Sequence, residues 1–342
     1  MIEKPDPTTN VISLLSGGDV SKNICEGLKS FIVTTMPIPW ELAKGRIGGN
    51  PIRIVFVDSM ERERVEQQLA ELPEFECVVA IGGGQAIDLG KYFSWKRKAR
   101  LITIPSVISV DAFVTPAAAI RINRKVEYIG KSSPDPLVID YDLIRTAPGD
   151  LNIAGVGDLL SIHTAVYDWE IAAKNGENQY QLHQKTVDQA YKILNSIIDH
   201  SEDIRNLTNK GIEAIVKGCM EVNRVCLPEG HYRIEEGSEH YLFYELEERT
   251  GMAYIHGHII GLGIYIMSHL QKNKHEHIVA LMDKMRLKYQ PKDMKIKPQT
   301  LIDSLHNLQN YVSERKDLWY TVIDQEAITS EWISCVTSEL EF

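Results

Sequence analysis

ECVVAIGGGQAIDLGK, residues 76–91, carries the signal that decides the fold class. Cys77 to Ile81 is a short continuous apolar run rich in β-branched residues, the mark of a strand buried on both faces of a parallel sheet. Gly82, Gly83 and Gly84 follow it directly, and a helical pattern runs from Gln85 to about Trp95. Three glycines at a strand-to-helix turn let backbone N–H groups approach a pyrophosphate, and the helix N-terminus adds partial positive charge. A plain tight turn explains the same residues, and the string is not the GxGxxG dinucleotide fingerprint.

Working outward, PIRIVFVDS (51–59) reads as a strand and MERERVEQQLAEL (60–72) as a helix. LITIPS (101–106) reads as a further buried strand, AIRINRKVEYIG (119–130) as a hairpin and PLVID (136–140) as a last strand. Strand and helix in alternation predict an α/β unit around a parallel sheet. Asp58 ends the strand before the glycine turn, where a carboxylate can accept hydrogen bonds from a ribose hydroxyl or cap the following helix. From Val156 onward a 3.6-residue period dominates, as in KTVDQAYKILNSIIDHSEDI (185–204) and IEAIVKGCMEVNRVC (212–226). The expected boundary is the turn TAPGDLN (146–152), giving an α/β domain over 1–150 and an all-α domain over 151–342.

The chain has 342 residues, the length of two ordinary domains, and its 44% hydrophobic and 25% charged composition suits a packed globular protein. Against 37 basic residues stand 47 acidic ones, a net charge of −10 that argues against nucleic acid as a partner. Cys25, Cys77, Cys219, Cys226 and Cys335 are scattered and never spaced as CxxC, which fits a reducing, cytoplasmic setting. MIEKPDPTTN has no basic start followed by an apolar run, so no secretory signal is read there. The most apolar stretch, Ala253 to Met267, is interrupted by His256 and His258 and falls short of the ~20 residues that span a bilayer. It reads as a buried helix, and no membrane association is expected.

Three strings in the helical half carry metal-type chemistry. In GVGDLLSIHTAVYDW (155–169), Asp158 opens a long helix, a place where an N-cap is the ordinary reading. In GSEHYLFYELEERTG (237–251) and IHGHIIGLGIYI (255–266), His240 and His256 sit in apolar helical context, where a lone histidine is ordinarily a satisfied core residue. His256 and His258 are two apart and face different sides of a helix, so they cannot serve one site. Taken together, one carboxylate and two imidazoles with open positions suit a catalytic zinc or ferrous ion.

The ordered blocks resemble a known family. Gly82 to Lys91 in the pattern GGGxxxDxxK, LITIPS leading into VDAFVTPAAA (110–119), the Asp158 string, SEH and HGHIIGLG resemble the iron-containing alcohol dehydrogenase and dehydroquinate synthase superfamily, and within it the glycerol-1-phosphate dehydrogenase branch. The resemblance runs from about Asp58 to about Leu270. It implies a Rossmann-like nucleotide-binding domain followed by a helical metal-binding domain. It implies a homo-oligomeric oxidoreductase that moves a hydride between NAD or NADP and a small polyol or polyol phosphate, with Asp158, His240 and His256 holding one divalent metal. Zinc is the usual ion of that branch, with iron and nickel as alternatives.

By position, the resemblance puts Asp58 on the ribose, Gly82, Gly83, Gly84, Gln85, Ala86 and Asp88 around the pyrophosphate, and Ser106, Ser109 and Thr115 along the cofactor. It puts Asp111 and Tyr244 beside the substrate as candidates to orient a hydroxyl or relay a proton. Three departures bear on the substrate. The branch reads SHDG and then SP, where this chain has Ser109, Val110, Asp111, Ala112 and then Thr115, Pro116. A histidine one turn after the first ligand histidine is replaced by Tyr244, and the chain is short at its C-terminal end for this family. A dehydroquinate synthase-like cyclase or lyase shares the metal set but needs more basic residues than Lys91, Arg121, Lys125 and Lys131 provide. A non-catalytic nucleotide-binding relative is the other alternative.

Overall fold

In the computed structural model, which describes residues 2–123, 125–177 and 179–342, the first elements are β1 (Leu14–Gly17), β2 (Phe31–Thr35), α1 (Pro37–Ala43), β3 (Arg53–Phe56) and α2 (Arg62–Ala70). They continue with β4 (Cys77–Gly82), α3 (Gly84–Arg97), β5 (Arg100–Pro105), the hairpin β6 (Ala118–Ile122) and β7 (Lys125–Ile129), and β8 (Leu137–Asp140). Six strands form one parallel sheet in the order β1-β8-β5-β4-β2-β3. β4 lies inside it, in register with β5 from Cys77 opposite Arg100 to Gly82 opposite Pro105, and is buried along its whole length. That double-sided burial is the reason for its unbroken apolar run. Phe31, Val33, Val79, Ile81, Ile102, Ile104 and Val138 form the core on one side of the sheet. Arg124, in the expected hairpin turn, lies outside the described residues.

The chain divides into two compact units, Met1–Asn152 and Ile153–Phe342. Short helices α4 (Tyr141–Ile144) and α5 (Gly149–Ile153) close the first. In the second, every regular element among the described residues is helical. These are α6 (Val156–Lys174), α7 (Gln184–Asp199), α8 (Ser201–Arg205), α9 (Asn209–Glu229), α10 (Ser238–Thr250), α11 (His256–Gln271), α12 (His275–Met285), α13 (Pro298–Ser313), α14 (Val322–Gln325) and α15 (Ser330–Thr337), with one 3₁₀ turn at Pro291–Met294. α7 is amphipathic, burying Val187, Ala190, Ile193, Leu194 and Ile197 at three- and four-residue spacing. By contrast α6 and α11 are buried nearly all round and form the centre of the unit.

The starts of α6 and α11 touch backbone to backbone. A Cβ on Gly257 would lie 1.6 Å from the carbonyl oxygen of Ala154, and one on Gly157 would lie 2.5 Å from the carbonyl oxygen of Gly257. Only glycine fits at both places, and both flank residues of the metal set. The buried helix expected over 253–267 begins at His256 and runs to Gln271, and no helix among the described residues is long and apolar enough to cross a membrane.

Candidate metal centre

Asp158, His240 and His256 each occupy the first turn of a helix, α6, α10 and α11 respectively. One ligand atom from each lies within 4.8 Å of the others. His256 Nε2 is 3.0 Å from Asp158 Oδ1 and His240 Nε2 is 3.9 Å from the same oxygen. These values straddle the roughly 3.4 Å that separates ligands around a tetrahedral ion with ~2.1 Å bonds, so the donors suit zinc in type and spacing. Asp158 is not the cap of its helix, since Gly155 precedes the first turn, and its carboxylate is turned to the two imidazoles. Asp158 and His240 are buried, whereas His256 keeps 18% of its side-chain surface, as a site with an open position needs.

The rings are held differently. His240 Nδ1 lies 2.9 Å from Glu239 Oε1, and His256 packs edge-on against Phe243 at 4.9 Å between centroids. Burial disfavours a charged His240. The Glu239 hydrogen bond and the negative charges of Glu239, Glu236 and Asp158 outweigh it, pushing the imidazole up to about 9. A pocket that favours positive charge this strongly suits a cation. Tyr244 stands one turn beyond His240 on α10, half-buried, its ring 6.3 Å from the imidazole.

In the first unit Gly82 has φ of +146°, open to glycine, and Gly83 and Gly84 admit Val107 and Val110 to within 3 Å of where a Cβ would stand. Gln85 and the buried Ala86 follow in the first turn of α3, and Ser106 donates its N–H to the Gly82 carbonyl at 3.0 Å. Ser109 is half-buried in the following loop. Asp88 is buried in an ion pair with Lys91 Nζ at 2.7 Å, and burial pushes its carboxyl up against the pull of that lysine. Lys91 also donates to Thr115 O and Oγ1, both at 3.2 Å, and to Ala117 O at 2.6 Å. These contacts tie Asp88 and Thr115 into one buried knot. Asp58 does not cap α2, whose preceding residue is Glu61; it accepts from Arg64 Nε at 2.9 Å and Nη2 at 2.6 Å. Asp111 stands in a single 3₁₀ turn, Asp111–Phe113, within this same unit.

Glu239, beside His240 in the SEH string, is the residue that sequence reading passed over. Only its adjacency to a candidate ligand pointed to it.

Comparison with known proteins finds relatives of the whole chain. The family model described as iron-containing alcohol dehydrogenase matches residues 45–148. Over 320 residues the chain is 24% identical to the glycerol-1-phosphate dehydrogenase [NAD(P)+] of Methanosphaera stadtmanae, covering 92% of this chain and 90% of that one. The chain is thus similar to proteins of the iron-containing alcohol dehydrogenase family. The enzyme of the same name from Aeropyrum pernix is 25% identical over 94% of this chain and 86% of its own. The fold is shared with a solved structure: the crystal structure of glycerol dehydrogenase from Schizosaccharomyces pombe superposes with a TM-score of 0.71 at 16% identity, covering 95% of this chain and 88% of that one.

Proposed function

We propose that this chain is a member of the iron-containing alcohol dehydrogenase superfamily and a metal-dependent NAD(P) oxidoreductase that moves a hydride between the nicotinamide and a small polyol phosphate, working in the cytoplasm as a homo-oligomer. The observation that carries the reading is the convergence of Asp158, His240 and His256 from three helix starts onto one point. The names of the similar proteins support the polyol-phosphate class and the use of either nicotinamide. In this reading the three side chains hold one divalent ion, zinc first and iron or nickel as alternatives. A cation there supplies Lewis-acid stabilisation of the substrate oxygen as it gains or loses its proton. His240 and Asp158, both buried, keep water from the donor side, and the partly exposed His256 marks the side from which substrate arrives. Tyr244, a turn from His240, orients the substrate, and Asp111 is assigned the same task from the first unit. The Gly82 to Ala86 turn, with Ser106, Ser109 and Thr115, takes the cofactor phosphates and nicotinamide arm; Asp88 supports them through Lys91, and Asp58 takes the ribose.

The test is elemental analysis of purified protein, wild type against His256→Ala, with absorbance at the nicotinamide band over a panel of polyols and polyol phosphates. Stoichiometric metal that is lost in the variant, with turnover of a polyol phosphate, is the expected result. Wild-type protein that takes up no metal even on reconstitution would end the proposal.

A further inference from the structure

Glu239 is fully buried, an expensive place for a carboxylate unless every lone pair finds a donor. Two donors and an imidazole meet it. Oε1 accepts from the Gly237 N–H at 2.6 Å and lies 2.9 Å from His240 Nδ1, and Oε2 accepts from Thr164 Oγ1 at 2.7 Å. Both carboxylate oxygens already take a donor, so the side of Glu239 that faces His240 acts as an acceptor and the ring carries a proton on Nδ1. Nε2, the atom that faces Asp158, is then the nitrogen that gives its lone pair to a metal, any proton there being displaced.

The carboxylate is itself immobilised from both neighbouring helices. Thr164 lies on α6, the helix of Asp158, and its carbonyl accepts from Gln271 Nε2 of α11, the helix of His256, at 3.0 Å. A Cβ on Gly263 of α11 would lie 2.5 Å from the Glu239 carbonyl oxygen, and one on Gly237 would lie 2.8 Å from Ala165 Cα and 3.0 Å from Glu239 Oε2. Glu239 is thus wedged between the helices that bring the other two ligands. On His256, Nε2 faces Asp158 and an aromatic edge packs against the ring.

We infer that Glu239 is a positioning residue that fixes the tautomer and orientation of His240, making its Nε2 a stronger metal ligand. The inference rests on the metal-binding reading above. A carboxylate on the far nitrogen of a ligand imidazole raises its basicity and holds its plane, and loss of such a partner typically weakens metal binding by about 10- to 100-fold.

A purely structural role, holding the start of α10 through Gly237, is separated from this one by Glu239→Gln. The carboxamide oxygen can take the place of Oε1, and its NH₂ can face Thr164, whose hydroxyl has a second acceptor in the Ser161 carbonyl at 3.0 Å. Shape and contacts are kept while the charge is lost. By chelator competition for zinc, the variant should bind about 10- to 100-fold more weakly than wild type while its metal-free melting temperature stays close to wild type, and Glu239→Ala should bind more weakly still. Zinc affinity in Glu239→Gln within about twofold of wild type overturns the inference and leaves the metal reading standing. Wild-type protein that binds no zinc overturns both. Should the variants not fold, ¹⁵N spectra of the imidazoles in zinc-loaded wild type decide it: His240 must show a protonated Nδ1 and a metal-bound Nε2, and the opposite assignment refutes the inference.

Discussion

Arg64 grips Asp58 through two hydrogen bonds to one oxygen, with both side chains partly exposed. In the proposed reading Asp58 takes a ribose 2′-hydroxyl, and the guanidinium beside it would accommodate a 2′-phosphate. Arg64→Ala should therefore lower kcat/KM with NADPH relative to NADH by roughly tenfold, the worth of one hydrogen bond to a charged group. An unchanged cofactor ratio would detach this pair from the ribose. At this scale the sequence was informative about residue type and poor about partners. Asp58 and Asp158 both look like helix caps from their neighbours, and neither caps a helix. Their partners, Arg64 at six residues' remove and the two histidines far along the chain, are not encoded in local spacing. Asp88 and Lys91 read as part of a cofactor motif, yet they pair with each other and with the loop at Thr115 and Ala117.

Helix starts, more than whole helices, build the candidate centre. Three N-terminal turns converge, and their close approach depends on Gly157 and Gly257, each adjacent to a metal-set residue. Gly257→Ala would drive a methyl into the Ala154 carbonyl, so the backbone of α11 must move. The expected outcome is a loss of roughly 3 kcal/mol in chemical denaturation together with loss of bound metal, since His256 moves with the backbone. Gly45→Ala, where nothing lies within 4 Å, serves as the control and should stay within about 0.5 kcal/mol of wild type. Normal stability with full metal content in Gly257→Ala would show that the contact is not what brings His256 to Asp158. Elements with strong periodicity, such as α7 and β4, were legible in the sequence. β1 and β2 were not read there: β1 has four residues running into a glycine pair, and β2 is a five-residue run followed at once by a proline helix. Such short elements gain their strand identity from sheet neighbours rather than from their own pattern.

At the scale of the whole molecule, the chain carries a net charge of −10, and the interior of its second unit also holds acid. Asp168, fully buried on α6, accepts from the Ser238 N–H at 2.8 Å, from Gln271 Nε2 at 3.0 Å and from the Val322 N–H at 2.9 Å, joining α6 to α10, α11 and the start of α14. Burial and then the charge of Glu239 push its carboxyl up to about 6, against the pull of the surrounding N–H donors, with the Arg233 guanidinium as the opposing charge nearby. Because the folded value lies above the ordinary carboxylate one, the folded state holds this proton more tightly. Its contribution to stability is complete below about pH 4 and is lost as pH rises through about 6, some ~3 kcal/mol over the window. In urea denaturation of metal-free protein, the stability of wild type relative to Asp168→Asn should fall by up to that amount between pH 4 and 7, and a constant difference would contradict it. The identity of the strongly periodic strands and helices and the change from parallel sheet to helical domain follow from local periodicity and composition, because each depends on neighbours within a few positions, whereas Asp158, His240 and His256 were grouped as one metal set by the family resemblance. The distances at which those three meet, the placing of Glu239 behind His240 and the threading of Asp168 through four helices were decided by tertiary structure alone. Each depends on glycine-sized gaps between helices distant in the chain, and no local pattern specifies which helices those are.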